Sequence, residues 1–261
     1  MIGVILSGMI NPGLIKSICE DASEAIMDVY EKDYTVTFKD DNSPFTAADQ
    51  ESNEIIMRLL KKHYPEIPII SEEMVKQVDY ETRKNWSKFW LVDPLDGSKE
   101  FIKKNDQFCV IISLIEHNEP VFGMMYSPVS KETYYAIKGQ GAYKIVGERN
   151  SSLPLEKSPK GQVNIIGSLS HSSPEFDDFI KQQESTGKKT HVVQIGSGLK
   201  FCHVAEGKAD IYPRFVPTME WDTAAGQLLV EECGKKMIDN QTQKRMTYNK
   251  VSLKNNGFIV S

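Results

Sequence analysis

From Asn11 onward, apolar residues recur at Leu14, Ile15, Ile18, Ala22, Ala25, Ile26, Val29 and Tyr30 with polar residues between them, the i, i+3, i+4 spacing of an amphipathic helix. Asn11-Pro12 supplies its start, an amide able to cap and a proline suited to the first turn. A second helix is predicted from Ala47 to His63, stopped by Pro65. Ile67-Pro68-Ile69-Ile70 and Phe89-Trp90-Leu91-Val92 are short apolar runs ending in acidic loops, read as strands that deliver carboxylates at their C-terminal ends. Residues 108–116, 121–126 and 132–137 are rich in Val, Ile, Phe, Tyr and Thr and are separated by clusters such as His117-Asn118-Glu119-Pro120. They predict an antiparallel meander.

After about residue 150 the pattern becomes strand-helix alternation: a strand at 163–168, a helix opened by Ser173-Pro174 and running to about 183, a strand at 191–195, a helix at 198–206 and a strand at 209–212. Asp222 to Cys233 reads as a helix closed by Gly234, with short strands after it. The expected architecture is an α+β half over 1–150 fused to an α/β half over 151–261, with helices layered on sheets. No internal repeat or low-complexity linker interrupts it.

Composition narrows the function classes. The chain has 261 residues, 31 Lys and Arg against 36 Asp and Glu, and a formal charge of −5, so it carries no overall basic footprint for nucleic acid or an anionic membrane surface. Its 40% hydrophobic and 26% charged residues are ordinary for a globular protein. Cys19, Cys109, Cys202 and Cys233 are too far apart for a C-x-x-C motif and read as reduced core thiols. Met1 to Leu6 is apolar, but no Lys or Arg precedes Lys16, so a signal peptide is not expected. No run approaches the roughly 20 apolar residues of a membrane span. These features predict a cytoplasmic protein with no integral membrane segment, and leave open a peripheral position at the cytoplasmic face of the inner membrane. Oligomeric state is not legible.

The chemistry is carried by acids. Ser71-Glu72-Glu73, Asp93-Pro94-Leu95-Asp96-Gly97-Ser98 and Trp221-Asp222-Thr223-Ala224-Ala225-Gly226 each place carboxylates at the end of a predicted strand or the start of a helix. Taken singly, Glu72-Glu73 reads as a solvated face, Asp93 to Ser98 as a tight turn, and Asp222 as a helix N-cap. Taken together, Glu72, Asp93, Asp96 and Asp222 in one cleft would repel, and some would protonate, unless cations joined them. Such hard oxygen donors, with the Leu95 carbonyl, suit magnesium, manganese or calcium rather than zinc. Two or three divalent ions would neutralise the acids and leave positive charge for a phosphate, the logic of multi-metal phosphoryl hydrolysis. His63, His117, His171, His191 and His203 form no H-E-x-x-H, and no G-x-x-x-x-G-K-[ST] exists, so metalloprotease and P-loop readings fail.

These motifs, with Asn42-Ser43-Pro44-Phe45-Thr46-Ala47-Ala48-Asp49 and the run from Gly196 through Lys200, Gly207 and Arg214 to Gly226, resemble the inositol monophosphatase superfamily. Within it the chain is similar to bacterial 3'(2'),5'-bisphosphate nucleotidases of the CysQ type, over nearly its whole length. The resemblance implies a layered αβαβα sandwich and a magnesium-dependent, lithium-sensitive phosphatase with two or three ions per site. It implies Glu72, Asp93, the Leu95 carbonyl, Asp96 and Asp222 as metal ligands, Asp93 being shared between two ions. It implies Asp49 and Ser98 as the pair that orients and deprotonates the attacking water, with no covalent enzyme intermediate. The family usually has Thr at the Ser98 position. Serine keeps the hydroxyl but lacks the β-branch that restricts its rotamer.

Lys99-Glu100-Phe101 after Ser98 is the wording of the bisphosphate nucleotidases, where inositol phosphatases read Thr-Asn-Phe. Inositol phosphatases also carry an acid about seven residues before the Trp-Asp aspartate, where this chain has Phe215 beside Arg214. An arginine fork suits a second phosphate. The resemblance implies substrate contacts from Glu72, Leu95, Gly97, Ser98, Ser168, His171, Gly196, Lys200, Arg214 and Asp222, and places Lys39 in a loop near the metals. Read alone, His171 could serve a helix start and Lys200 could be solvated. The expected reaction is hydrolysis of the 3'-phosphate of adenosine 3',5'-bisphosphate to AMP and phosphate. An inositol or sugar phosphatase of the same fold, and a non-catalytic metal or nucleotide sensor, are the alternatives.

Overall fold

The structure is a computed structural model that describes residues 10–32, 34–38, 44–157, 161–169 and 173–261. Helix α1 (Pro12–Tyr30) begins where the Asn11 side chain accepts hydrogen bonds from the Gly13 and Leu14 amides at 2.9 and 3.2 Å, as its sequence predicts. Strands β1 (Thr37–Phe38) and β2 (Pro44–Phe45) form an antiparallel pair ahead of α2 (Ala47–His63), whose predicted bounds hold. β3 (Ile69–Ser71) runs into a 3-10 helix (Glu72–Gln77) and a single turn, α3 (Tyr80–Arg83). The strand predicted from Ile67 starts two residues later because Pro68 has no amide hydrogen to contribute to the ladder, although its carbonyl accepts from Trp90 N at 2.8 Å.

β4 (Lys88–Asp96) is followed by the short helix α4 (Ser98–Ile102). Then comes the meander β5 (Cys109–Glu116), β6 (Glu119–Ser127), β7 (Glu132–Ile137), β8 (Gly141–Val146) and β9 (Arg149–Ser152). Strands β3 to β9 form one seven-stranded sheet in sequence order, with β3 parallel to β4 and every other pair antiparallel. The sequence pattern did not announce β8 and β9, whose faces are partly exposed and polar.

β10 (Gln162–Ser168), α5 (Pro174–Glu184), β11 (Lys189–Ile195), α6 (Leu199–Glu206) and β12 (Tyr212–Arg214) follow, then β13 (Thr218–Met219), α7 (Glu220–Glu232), β14 (Met237–Asp239), β15 (Lys254–Asn255) and β16 (Phe258–Val260). β10 and β11 pair in parallel, and β16 lies between β12 and β14. The strand predicted at 209–212 lies at 212–214. Gly207, in the left-handed region at φ +87°, closes α6, and Lys208 and Ala209 turn back to the His203 carbonyl; Asp210 and Ile211 both donate to the Asn164 carbonyl of β10, where Ile211 forms an isolated bridge to Ile165.

The layers follow from what each face buries. Ile15, Ile18 and Ile26 of α1 and Ile56 and Leu60 of α2 cover one face of the large sheet against Trp90, Val92 and Phe122. Full burial of each such side chain is worth roughly 1.5–3 kcal/mol. Phe201 of α6 and Ala225, Leu228 and Leu229 of α7 cover the other face against Ile111, Met125 and Tyr134. Tyr212 and Phe258 of the smaller sheet pack on Phe201 from beyond, and α5 lies outermost on β11. The order is α, β, α, β, α, as the resemblance implied. Residues Ala224-Ala225-Gly226 are small because α7 nearly touches its neighbours: a Cβ on Gly123 would sit 2.6 Å from Ala225 Cα, and one on Gly226 would sit 2.3 Å from the Phe201 ring. Cys19, Cys109 and Cys202 are buried free thiols, and Cys233 is half-buried. Among the described residues no helix is long and apolar enough to cross a membrane.

Candidate active site and metal centre

β4 does not end in the turn expected between Asp93 and Asp96. It continues to Asp96 with a shift of register against β5, pairing Asp93 with Ile111 and Asp96 with Cys109. Pro94, lacking an amide hydrogen, drops out of the ladder, and its carbonyl accepts instead from Ser52 Oγ at 2.8 Å. The irregularity turns both aspartates to one side, with Leu95 N donating to Asp93 Oδ1 at 3.0 Å. Gly97, at φ +99°, makes the bend into α4; a side chain there would be strained and would strike Ser197.

Asp222 is not the N-cap its sequence context suggested. α7 starts two residues earlier, so Asp222 occupies the third helical position and its Oδ2 accepts from Met219 N at 2.7 Å. Asp49 holds the same position in α2: its Oδ2 accepts from Thr46 N and Thr46 Oγ1, both at 2.8 Å, which fixes the carboxylate. Its Oδ1 faces Ser98 Oγ at 3.4 Å, and Ser98 Oγ lies 3.4 Å from the Leu95 carbonyl. The expected water-activating pair is therefore adjacent.

Asp93, Asp96 and Asp222 each offer a carboxylate oxygen, all within 4.8 Å of one another. Glu72, at the start of the 3-10 helix, lines the same cavity of about 780 Å³ with Glu73, Asp93, Leu95, Asp96 and Asp222. A second cavity of about 270 Å³ adjoins it, lined by Lys99, Ser168, Lys200 and Arg214. Asp96, Gly97, Ser98 and Asp222 line both; beyond that shared wall the first chamber carries Glu72, Glu73 and Asp93 with Lys76, and the second, the more basic of the two, carries Lys99, Lys200 and Arg214 with Glu100.

Burial, with Glu72, Asp96 and Asp222 nearby, holds the Asp93 carboxyl well above the usual range. Burial and the charges of Asp96 and Glu72 do the same to Asp222. Burial also raises Asp96, against the pull of Lys200 and the Gly198 amide. Burial pushes the Lys200 ammonium down to about 8, with Asp96 opposing and Arg214 adding to the shift. Crowded like charges of this kind are relieved by a cation. The all-oxygen donor set fits a hard divalent ion of the magnesium, manganese or calcium type. Cys109 Sγ, 3.7 Å from Asp96 Oδ2, is held protonated by burial and by Asp96, its pKa raised well above the ordinary thiol value.

A profile of the inositol monophosphatase family matches residues 14–261. The chain belongs to the inositol monophosphatase family. It is 39% identical over 259 residues to the 3'(2'),5'-bisphosphate nucleotidase CysQ of Shigella flexneri, an alignment that covers 95% of this chain and 99% of that protein. The crystal structure of CysQ from Bacteroides thetaiotaomicron superposes with a TM-score of 0.85 at 37% identity, over 95% of this chain and 96% of that one. An inositol monophosphatase from Thermotoga maritima shares the fold, with a TM-score of 0.74 at 22% identity over 94% and 89% of the two chains. Members of this family are generally metal-dependent, and the carboxylate cluster is where this member can bind metal.

The remaining expected contacts divide. Ser168, Lys200 and Arg214 line the basic chamber. Arg214 is steadied by its Nε donating to the Val216 carbonyl at 3.1 Å. Gly196 lines neither chamber: its amide donates to Gln107 Oε1 at 2.6 Å, and a Cβ would sit 2.5 Å from Glu100 Cγ. It is a glycine of close approach, behind the wall. His171 and Lys39 lie outside the described residues. Sequence reasoning assigned no contact to Ser197, which with Gly198 lines the more basic chamber, or to Glu100, which it used only as a mark of substrate class and which is buried in that chamber's wall. The Gly198 amide donates to Asp96 Oδ2 and so ties α6 to the acid cluster. The family motif Gly196-Ser197-Gly198 carried that signal, though only its first residue was singled out.

Proposed function

We propose that the protein is a magnesium-dependent 3'(2'),5'-bisphosphate nucleotidase that hydrolyses the 3'-phosphate of adenosine 3',5'-bisphosphate to AMP and phosphate in the cytoplasm, and that lithium inhibits it. The observation that carries this reading is a chamber rich in acids joined, across the shared wall Asp96-Gly97-Ser98 and Asp222, to one that presents Lys99, Lys200 and Arg214. A doubly phosphorylated substrate fits that plan, with one phosphate at the acids and their cations and the other at Lys200 and Arg214. The near full-length likeness to bisphosphate nucleotidases of the CysQ type supports it.

Glu72, Asp93, the Leu95 carbonyl, Asp96 and Asp222 are the proposed ligands of two or three magnesium ions. When bound, the ions supply Lewis-acid polarisation of the phosphoryl group and a lowered pKa for water. Ser98 orients the attacking water and Asp49 takes its proton. Asp49 suits the task because Thr46 immobilises one carboxylate oxygen while the other faces the Ser98 hydroxyl. Lys200 and Arg214 hold the second phosphate, the arginine by its planar fork, with Ser168 and Gly97 beside it. The site lies where the two proposed halves, 1–150 and 151–261, meet.

Purified protein with magnesium should turn over adenosine 3',5'-bisphosphate in preference to inositol 1-phosphate and fructose 1,6-bisphosphate. Lithium chloride, but not sodium chloride, should slow it. A preference for either sugar phosphate would overturn the substrate assignment in favour of a sugar phosphatase, and no turnover of any would favour a sensor.

A further inference from the structure

Glu72 and Asp222 face one chamber but come from distant parts of the chain, and a relay of hydrogen bonds behind the chamber joins their supports. Arg83, 3% exposed, closes the segment that Glu72 opens. Its Nη1 donates to Asn249 Oδ1 at 2.8 Å and to the Lys250 carbonyl at 2.7 Å, and its Nη2 donates to the Val251 carbonyl at 2.9 Å. Asn249 returns the contact, its Nδ2 donating to the Arg83 carbonyl at 2.9 Å. The Asn249 backbone, at φ +67°, aims its own amide at Glu220 Oε2, 2.7 Å away. Glu220, fully buried, also accepts from Lys250 N at 3.0 Å and pairs with Lys250 Nζ at 2.7 Å. Glu220 is the first residue of α7, and Asp222 lies on the same turn.

Apolar contacts alone would hold these parts together without fixing their spacing. Val75, Trp86, Met219, Trp221 and Ala224 share one cluster, but such burial is non-directional. Charge-assisted bonds on a planar guanidinium are directional. A buried Glu220 whose two carboxylate oxygens are both engaged leaves the turn carrying Asp222 little freedom to rotate.

We infer that Arg83, Asn249 and Glu220 are positioning residues that set the separation of Glu72 and Asp222, and through it the affinity of the acidic chamber for divalent cations. The inference rests on the metal reading given above. No member of the relay lines either chamber.

Manganese binding by the intact purified protein, read as loss of the free-ion signal in electron paramagnetic resonance, tests it without turnover. Asn249→Gly keeps the left-handed backbone and the amide to Glu220 while deleting both side-chain bonds to Arg83. Arg83→Lys offers one ammonium to three acceptors. Each should weaken manganese binding about tenfold, the usual scale for residues that orient metal ligands. Tyr134→Phe, which loosens a buried network elsewhere, should lower the melting temperature and bind manganese as the wild type does. Wild-type affinity in both relay variants would overturn the inference. So would an equal loss in Tyr134→Phe, since the effect would then be general destabilisation. Wild-type protein that binds no manganese, or an Asp93→Asn variant that binds it undiminished, would sink the metal reading and the inference with it.

Discussion

Two groups of carboxylates in this molecule, each built around a buried member, are handled in opposite ways. Glu206, at the end of α6, is wholly buried and met by Lys144, Lys208 and the Tyr134 hydroxyl, the last at 2.7 Å, while Lys144 also pairs with Glu132 at 2.8 Å. Burial alone would raise its carboxyl, but these donors outweigh it and hold the group below its ordinary value. Asp93, buried, and Asp222, half-buried, lie among other acids and are shifted upward. Where the chain provides its own cations, a buried carboxylate is a strut between α6 and the sheet. Where it gathers acids without enough cations, the electrostatics are left to be completed by something that binds.

Three experiments can break or sharpen that contrast. The largest effect is expected from Asp93→Asn, which should reduce turnover by about a thousandfold or more, the scale of several kcal/mol of lost charge stabilisation. The metal-free variant should melt no lower than wild type, because one of the repelling charges is gone. An earlier melt would mean that the acids stabilise the fold as Glu206 does. Next, Lys144→Met should cost about 2 kcal/mol in urea unfolding, a charged hydrogen bond deleted from a buried partner that keeps Lys208, with turnover by the folded protein intact. Loss of activity without loss of stability would erase the distinction.

The smallest effect is on pH dependence, where the two groups should have opposite signs. A carboxyl raised in the folded state binds protons more tightly there than when unfolded, so metal-free stability should rise as pH falls from above the raised values of Asp93 and Asp222 toward the ordinary carboxylate range near 4. Glu206, held low, contributes stability above that range and loses it as pH falls through its depressed value. Melting temperature against pH, with chelator and with magnesium, separates them: magnesium should flatten the first trend and leave the second. A flat profile in chelator would show that the acid cluster is not strained.

Much of this was legible from the chain because local rules decided it. Asn11-Pro12 and the stripe from Leu14 to Tyr30 fix α1, and Thr46 with Asp49 fixes the start of α2. The acids of β4 and α7 were found because turn and helix-start residues surround them. What stayed hidden depended on distant partners. β8 is a strand with Lys144 pointing inward, tolerable because Glu132 on the neighbouring strand and Glu206, 62 positions later, both receive it. Gly196, expected to touch substrate, packs against Gln107 and Glu100, which nothing nearby in the sequence reveals. Asp222 was misplaced on its helix by two residues because Glu220, an acid that reads as exposed, is buried by the loop at 249–250.

The relay through Arg83 also has a kinetic meaning. Its guanidinium binds acceptors 166 to 168 positions along the chain, whereas the strands of the meander find their partners across short turns. Closing so long a loop is slow relative to local pairing. On refolding, the large sheet should recover its protection against hydrogen exchange before the chamber acquires its ability to capture ions, so the protein gains its shape before it gains its chemistry.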